Sequence, residues 1–359
     1  MKKLRVGILG ATGMVGQQYV HLLKEHPFFK LSFLAGSKKS AGKSYAEALT
    51  EKKRALNSIS AHVLALPVHK IDEIATAKKQ CDFVFSAINS ETAKMYETLY
   101  AAAGMPVISS ASFHRMDQDV PLLIPEINSE HLKIIPHQKK KRGWDNGFII
   151  AKPNCSLQSY LIPLYPLHLK FKIKKLIITT MQAVSGAGYL GVSFLDIIDN
   201  IIPYIGAEEE KSEVEPLKIL GKVQKDKISL TEGISISAHC NRVPVTDGHT
   251  ACVSVQFEKK PTKEEVLKLW HEFKGMPQEL SLPSAPLQPI LYRKEKDRPQ
   301  PKLDRNAESG MAITVGRLRE CPVLDFRFVA LSHNTLRGAA KGGMLNAELL
   351  YSQGYLEKK

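Results

Sequence analysis

The chain has no Cys-x-x-Cys pair, and its five cysteines (Cys81, Cys155, Cys240, Cys252 and Cys321) are odd in number and scattered. That pattern suggests neither a disulfide framework nor a zinc site, so no metal is expected and the expected compartment is reducing. No run approaches the roughly 20 apolar residues a membrane helix needs. The opening Met-Lys-Lys-Leu-Arg-Val-Gly is interrupted by Arg5 and glycines with no small-residue cleavage site after it, so it does not read as a signal peptide. Aromatics are scarce at 7% and are not interleaved with the lysines, which argues against the stacked basic surface of a nucleic-acid binder. Disorder is excluded by 43% hydrophobic and 24% charged residues, and 359 residues suit two domains. What is in excess is positive charge, +14, which fits anionic small substrates as well as anionic polymers.

The first half alternates short apolar runs with helical stretches. Leu4–Leu9, Leu31–Ala35, Asp82–Ala87, Val107–Ser109 and Phe148–Ala151 read as strands, with Gly16–Lys24 and Thr92–Ala103 as helices. Such alternation predicts a parallel sheet covered on both faces. After Cys155 the texture changes. Lys174–Ala183 is a long apolar run, while Leu190–Ile202, Glu208–Leu220 and Lys263–Lys274 read as helices. Ile234–Cys240, Thr250–Phe257, Ile313–Leu318 and Val323–Ser332 read as strands, and Thr250–Phe257 alternates as a half-buried strand should. A mostly antiparallel or mixed sheet is expected there, with a closing helix within Asn334–Leu350. The basic run Lys139–Arg142, followed by Gly-Trp-Asp-Asn-Gly, reads as an exposed loop.

Gly10-Ala-Thr-Gly13-Met-Val-Gly16 sits between the first strand and the first helix. Glycines there permit a tight turn and close approach of backbone to a pyrophosphate resting on the helix N-terminus. The candidate contacts are Gly10, Thr12, Gly13, Met14, Val15 and Gly16. A site for NAD places an acid at the end of the second strand. Here Ala35-Gly-Ser-Lys-Lys-Ser-Ala-Gly-Lys43 contains none, and Ser37, Lys38 and Ser40 suit a 2′-phosphate, which favours NADP(H).

Pro153 and Asn154 mark a turn leading into an apolar helix, which would put Cys155 in the first helical turn, where the dipole lowers a thiol pKa. By position alone, a buried small hydrophobe remains an equal reading.

The chain resembles the aspartate-β-semialdehyde dehydrogenases of the archaeal and fungal branch over nearly its whole length. The resemblance rests on the glycine turn, Ser110-Ala-Ser-Phe-His-Arg-Met116, Pro121-Leu-Leu-Ile-Pro-Glu-Ile-Asn128 and Pro153-Asn-Cys155-Ser-Leu-Gln158. It rests equally on Gln182-Ala-Val-Ser-Gly186, Glu208-Glu-Glu-Lys211, Asn241-Arg-Val-Pro-Val-Thr-Asp-Gly-His249 and His333-Asn-Thr-Leu-Arg-Gly338. It implies a Rossmann-like NADP-binding domain (1–153), a catalytic and dimerisation α+β domain (154–333) and a C-terminal helix returning to the first (334–359). The implied reaction is NADPH-dependent reductive dephosphorylation of L-aspartyl-4-phosphate to L-aspartate-4-semialdehyde, in the cytoplasmic synthesis of amino acids from aspartate. A homodimer or homotetramer is implied, with no nucleic-acid or membrane partner.

Residue by residue, the resemblance makes Cys155 the nucleophile that forms a thioester and His249 the acid/base. Arg242 would hold the substrate carboxylate, Glu208 its amine, and Lys211 and Arg115 the phosphate, with Asn154 assisting and Gln182 orienting the substrate. The three successive glutamates leave Glu209 and Glu210 as alternatives to Glu208. Ser86, Ser185, Gly186 and Asn334 would contact the cofactor. A related thioester reductase, such as malonyl-coenzyme A reductase, is the nearest competing reading; the amine- and phosphate-binding candidates argue against it. The segment Arg142–Gly147 looks like a local insertion, and Lys341 stands where a smaller residue is expected.

Overall fold

The computed structural model describes residues 3–52, 59–189 and 191–357. Six strands, β1 (Leu4–Leu9), β2 (Phe29–Gly36), β3 (Val68–Lys70), β4 (Phe83–Ser86), β5 (Val107–Ser109) and β6 (Ile149–Ala151), form one sheet. Their order is β3-β2-β1-β4-β5-β6 and every neighbouring pair is parallel. Side chains one residue apart go to opposite faces. Accordingly Val84 enters one apolar cluster with Tyr100 and Ala101, whereas Phe83 and Phe85 enter another with Tyr19 and Ile8. Both faces are buried, which is why these strands read as continuous apolar runs. The strand order reverses between β1 and β4, the switch point where a doubly wound, Rossmann-like sheet opens a crevice.

The second sheet contains β7 (Ile173–Ala183), and a small ribbon β8 (Lys222–Gln224) and β9 (Lys227–Ser229) lies outside it. It continues with β10 (Ser235–Val243), β11 (His249–Phe257), β12 (Ile290–Arg293), β13 (Ile313–Glu320) and β14 (Phe326–Ser332). The order is β10-β7-β11-β14-β13-β12, parallel at both outer pairs and antiparallel between, so the sheet is mixed. One face packs Ile178, Val253, Val255 and Phe328 against Tyr160 and Leu164 of the helix Leu157–Phe171. The opposite face is open, with Ile177 and Cys252 exposed.

The chain then crosses back. Met344, Leu345 and Leu349 of the closing helix Lys341–Ser352 share a core with Val6, Ile8 and Tyr19 of the first sheet. Glu348 within this helix accepts from His26 (2.9 Å) and from the Ser284 hydroxyl (2.6 Å). The 276–285 segment therefore also lies against the first lobe, although it sits inside the stretch assigned to the second domain.

Three expectations require correction. The segment read as a helix over Leu190–Ile202 is helical only at Phe194–Ile197; Leu190 lies outside the described residues. Its apolar residues Phe194, Leu195, Ile198 and Ile201 are exposed rather than gathered on a buried face, and the helix stops where Ile198 turns extended, followed by left-handed Asp199 (φ 52°). The basic run Lys139–Arg142 is no loop but the last turn of the helix Ile135–Arg142, where cations suit the negative end of the dipole. Arg142 is also tied to Asp119 (2.6 Å) and Asp117 (3.0 Å). Lastly, Cys155 precedes the helix rather than occupying its first turn: the cap is Ser156 and the helix begins at Leu157.

Candidate active site

A cleft of about 500 Å³ opens between the two lobes, with Met14, Val15 and Ser110 on the first-lobe wall and Glu208, Lys211 and Asp247 on the second. Cys155 lies between these walls, lining the cleft.

The first wall is made by backbone. Gly10 adopts φ 82°, and the amides of Gly10 and Ala11 both donate to Ala35 O (2.9 and 3.0 Å), folding the turn onto the end of β2. A Cβ at Gly16 would stand 2.2 Å from Gly10 O, so turn and helix approach closely only because that position has no side chain. Gly13 caps the helix Met14–Leu22, which has no acid in its first turn to compete with an anion for the free amides. The Thr12 hydroxyl is held by Lys52 Nζ at 2.6 Å. Ser37 and Lys38 are exposed just past β2, while Ser40 is buried. Ser86 is wholly buried at the end of β4 and takes no part in the cleft lining, so no direct cofactor contact is assigned to it.

The second wall is made by side chains. Strands β7 and β10 run in register, pairing Gln182 with Arg242 and Ala183 with Val243, while β11 begins at His249. Ala183 organises two groups: its amide donates to His249 Nδ1 (3.0 Å) and its carbonyl accepts from Arg242 Nη1 (2.7 Å). His249 Nε2 then stands 3.3 Å from Cys155 Sγ. Because Nδ1 accepts an amide proton, the neutral ring carries its own proton on Nε2, facing the sulfur. Burial, with Arg242 and His333 nearby, lowers the His249 pKa to about 3, so the ring is uncharged at neutral pH.

The expected dipole activation of Cys155 is not what its surroundings produce. Burial first, then Glu208, push the thiol up to about 11, against the opposing pull of Lys152, Arg115 and Arg242.

Glu208 is the hub of the polar groups. Its two oxygens accept from Asn154 Nδ2 (2.8 and 2.9 Å), and it accepts also from Gln182 (3.1 Å) and from Lys211 (3.0 Å). Glu209 instead caps the Cys240 amide of β10 (3.0 Å), and Glu210 is exposed. The alternatives left by the three successive glutamates are thereby separated. Asn154 Oδ1 accepts from the amide and hydroxyl of Ser156, fixing the turn that carries Cys155. Asn334 donates to Ser185 Oγ (2.8 Å) and accepts from the Gly248 amide (2.8 Å), so Ser185, Gly186 and Asn334 form one edge of the cleft beside His249.

Two residues were missed. Glu215, buried on the same helix as Glu208, accepts from Arg115 Nη1 (2.8 Å) and from the Asn154 amide (2.7 Å). Its spacing, two turns after Glu208 and one after Lys211, was available as a helical-face signal. Lys152, the other, lines the cleft at the end of β6 and is almost wholly buried. Arg115 keeps its Nε without a partner, although Nη2 donates to Ser110 O (3.1 Å).

A dinucleotide-type crevice facing a cysteine–histidine pair defines a class, the pyridine-nucleotide-dependent dehydrogenases that work through a thiol. Comparison with known proteins narrows it. Residues 5–135 match the NAD binding domain of semialdehyde dehydrogenase and residues 164–337 its dimerisation domain. The aspartate-semialdehyde dehydrogenase of Archaeoglobus fulgidus is 45% identical over 97% of this chain and 98% of its own. That of Saccharomyces cerevisiae is 44% identical over 98% of each. A crystal structure of the Candida albicans enzyme with NADP superposes with a TM-score of 0.89 at 40% identity, covering 98% of this chain and 99% of that one. The Vibrio cholerae enzyme II complexed with ASA gives 0.76 at 25%, with 98% and 99% covered. The chain belongs to the aspartate-semialdehyde dehydrogenase family.

Proposed function

We propose that the cleft catalyses NADPH-dependent reductive dephosphorylation of L-aspartyl-4-phosphate to L-aspartate-4-semialdehyde, with Cys155 as nucleophile. The carrying observation is the 3.3 Å approach of Cys155 Sγ to His249 Nε2, between a backbone-lined crevice and a wall of charged side chains.

The cofactor fits the first wall. Its pyrophosphate would rest on the Gly10–Gly16 turn, and Ser37 and Lys38 would face a 2′-phosphate with no acid to repel it. When bound, NADPH supplies the hydride. The protein's own groups do the rest. Cys155 Sγ, as the thiolate after its proton has passed to solvent, attacks the acyl carbon, the bond from that carbon to the phosphate oxygen breaks, and the phosphate departs toward Arg115 and Lys211, with Asn154 alongside. The unpartnered Nε of Arg115 is a donor suited to that anion. Arg242 would take the substrate carboxylate, Glu208 the ammonium, and Gln182 would orient the side chain. After reduction of the thioester the carbon–sulfur bond breaks. His249 Nε2–H is placed to give a hydrogen bond to the sulfur as it departs as thiolate.

Exposed Phe194, Leu195, Ile201 and Tyr204 near the edge strand β10 support self-association through the second lobe, as a homodimer or a pair of dimers. Among the described residues no helix is long and apolar enough to cross a membrane. We place the enzyme in the cytoplasm, its small-molecule substrate reaching it without a nucleic-acid or membrane partner.

The test is NADP reduction with aspartate semialdehyde and phosphate, the reverse direction. Cys155→Ala should lower the rate by at least about 10³-fold; a variant retaining a substantial rate would sink the covalent route.

A further inference from the structure

The sulfur of Cys155 needs a positive charge, and His249 does not provide one. Its Nδ1 is engaged as an acceptor by the Ala183 amide, so a second ring proton would meet that N–H head-on. Three other cations surround the thiol, and they differ in how far their charge is already answered. Arg115 is ion-paired with Glu215 at 2.8 Å. Arg242 donates to Ala183 O and, in the reading above, is met by the substrate's carboxylate.

Lys152 has neither kind of partner. Its Nζ donates to Pro153 O (2.9 Å) and to Gly338 O, two neutral carbonyls, and among the described residues no carboxylate lies within ion-pair distance of it. Both carbonyls belong to segments that touch the nucleophile. Pro153 lies two residues before Cys155, and a Cβ on Gly338 would stand 2.8 Å from Cys155 Cβ. A buried, hydrogen-bonded ammonium without a counter-charge is costly unless an anion appears beside it. Cys155, which lines the same cleft, carries a group that becomes such an anion when it loses its proton.

We propose that Lys152 is a positioning residue whose ammonium, fixed by the carbonyls of Pro153 and Gly338, favours the reactive thiolate form of Cys155 over the thiol while His249 donates a hydrogen bond to the sulfur from Nε2. Lys152 acts through the sulfur and does not touch the substrate. Lys152 leads the groups favouring the charged form of Cys155, with Arg115 and Arg242 behind it, against burial and Glu208, which favour the thiol. The amine itself sits near neutrality, at about 7, held down by burial and by Arg115 and Arg337 and drawn up by Cys155 and Glu215. The inference rests on Cys155 being the nucleophile.

The experiment reads the sulfur directly. Full-length protein is alkylated with iodoacetamide from pH 6 to pH 10, and the rate is followed at Cys155 by peptide mass mapping, since Cys252 is exposed and reacts separately. Two variants remove the charge: Lys152→Met removes the hydrogen bonds as well, and Lys152→Gln retains donors for the two carbonyls. In both, alkylation of Cys155 should slow roughly tenfold across the whole of that range, as expected where the rate follows the thiolate fraction and the thiol pKa rises by about one unit. An unshifted profile in either folded variant overturns the proposal. So does an unshifted profile accompanied by a raised phosphate KM, which would make Lys152 a phosphate ligand instead. Turnover of alkylated wild-type protein separates the two claims. If it stays active, the nucleophile assignment fails, while the alkylation profile still reports whether Lys152 governs the sulfur.

Discussion

The two walls of the cleft are built by opposite means. On the first, the contacts offered to a ligand are amides and gaps where side chains are missing, set by the end of a buried parallel sheet. On the second, they are carboxylate, guanidinium, imidazole and ammonium groups tied to one another through Glu208, Glu215 and Ala183. A group that is only bound can be held by geometry. A group that must be cleaved and protonated needs charge at defined atoms, and charge in a closed cleft must be matched pair by pair.

The walls are joined by a buried brace. Arg337, on the returning segment, forms paired 2.6 Å bonds to Glu126 of the first lobe and a 2.9 Å bond to Gln158 in the helix after Cys155. Arg337→Met should produce the largest loss of stability, about 3–5 kcal/mol, because it strands a buried carboxylate. A chemical denaturation midpoint measures it; a loss under 1 kcal/mol would mean the walls are held by apolar packing alone. Gly16→Ala should come next. The added methyl meets Gly10 O and the Ala11 backbone, which cannot give way as a flexible side chain would. NADP affinity should fall about 100-fold, with the reactivity of Cys155 toward iodoacetamide intact. Equal damage to both would show that the two walls are not separable.

Smaller still, Arg242→Leu should raise KM for aspartate semialdehyde by about 10-fold to 100-fold with NADP affinity unchanged, the counterpart of Gly16→Ala on the opposite wall. Glu215→Gln should act indirectly. It keeps a hydrogen-bond acceptor for the Asn154 amide but loses the ion pair to Arg115, so phosphate KM should change severalfold while KM for the aldehyde does not.

The same contrast decided what the sequence revealed. The buried parallel strands were legible because apolar runs and a glycine turn are local signals. Alternation exposed β11 equally well, since Cys252 faces out while Val253 and Val255 face in. Short β3 and β12, at sheet edges, carry too few residues for a period to show. At the candidate site, motifs single out Cys155, His249 and Arg242, which the fold brings together around Ala183. They do not single out Glu215 and Lys152, because what marks them is a partner far along the chain: Arg115 lies a hundred residues before Glu215, and Gly338 lies 186 residues after Lys152. The state of Cys155 was misjudged for a similar reason. Local sequence places it against a helix dipole, whereas burial and Glu208, fifty-odd residues on, raise its pKa.

Acid should distinguish the walls by stability alone. Three of the four histidines whose pKa burial lowers, His168, His249 and His333, lie in the second lobe, and His131 is the fourth. His168 falls to about 4 and His249 to about 3, against about 6.5 in an unfolded chain. Between those limits the unfolded chain binds protons that the folded one refuses, so stability is greatest above about pH 6.5 and falls as the pH drops toward 4. Each such histidine contributes a slope of about 1.4 kcal/mol per pH unit in that range. Carboxylates with lowered pKa values, such as Asp117, Asp119 and Asp304, lose their protective charge only lower down, while buried Glu97, whose pKa burial raises, works in the opposite sense to the histidines. His168→Asn can still accept the Ile173 amide that His168 Nδ1 now receives at 3.2 Å, but it does not titrate. Denaturation midpoints across that window should therefore flatten by about one proton in the variant. An unchanged slope would place the acid sensitivity elsewhere, outside the lobe that carries the charged wall.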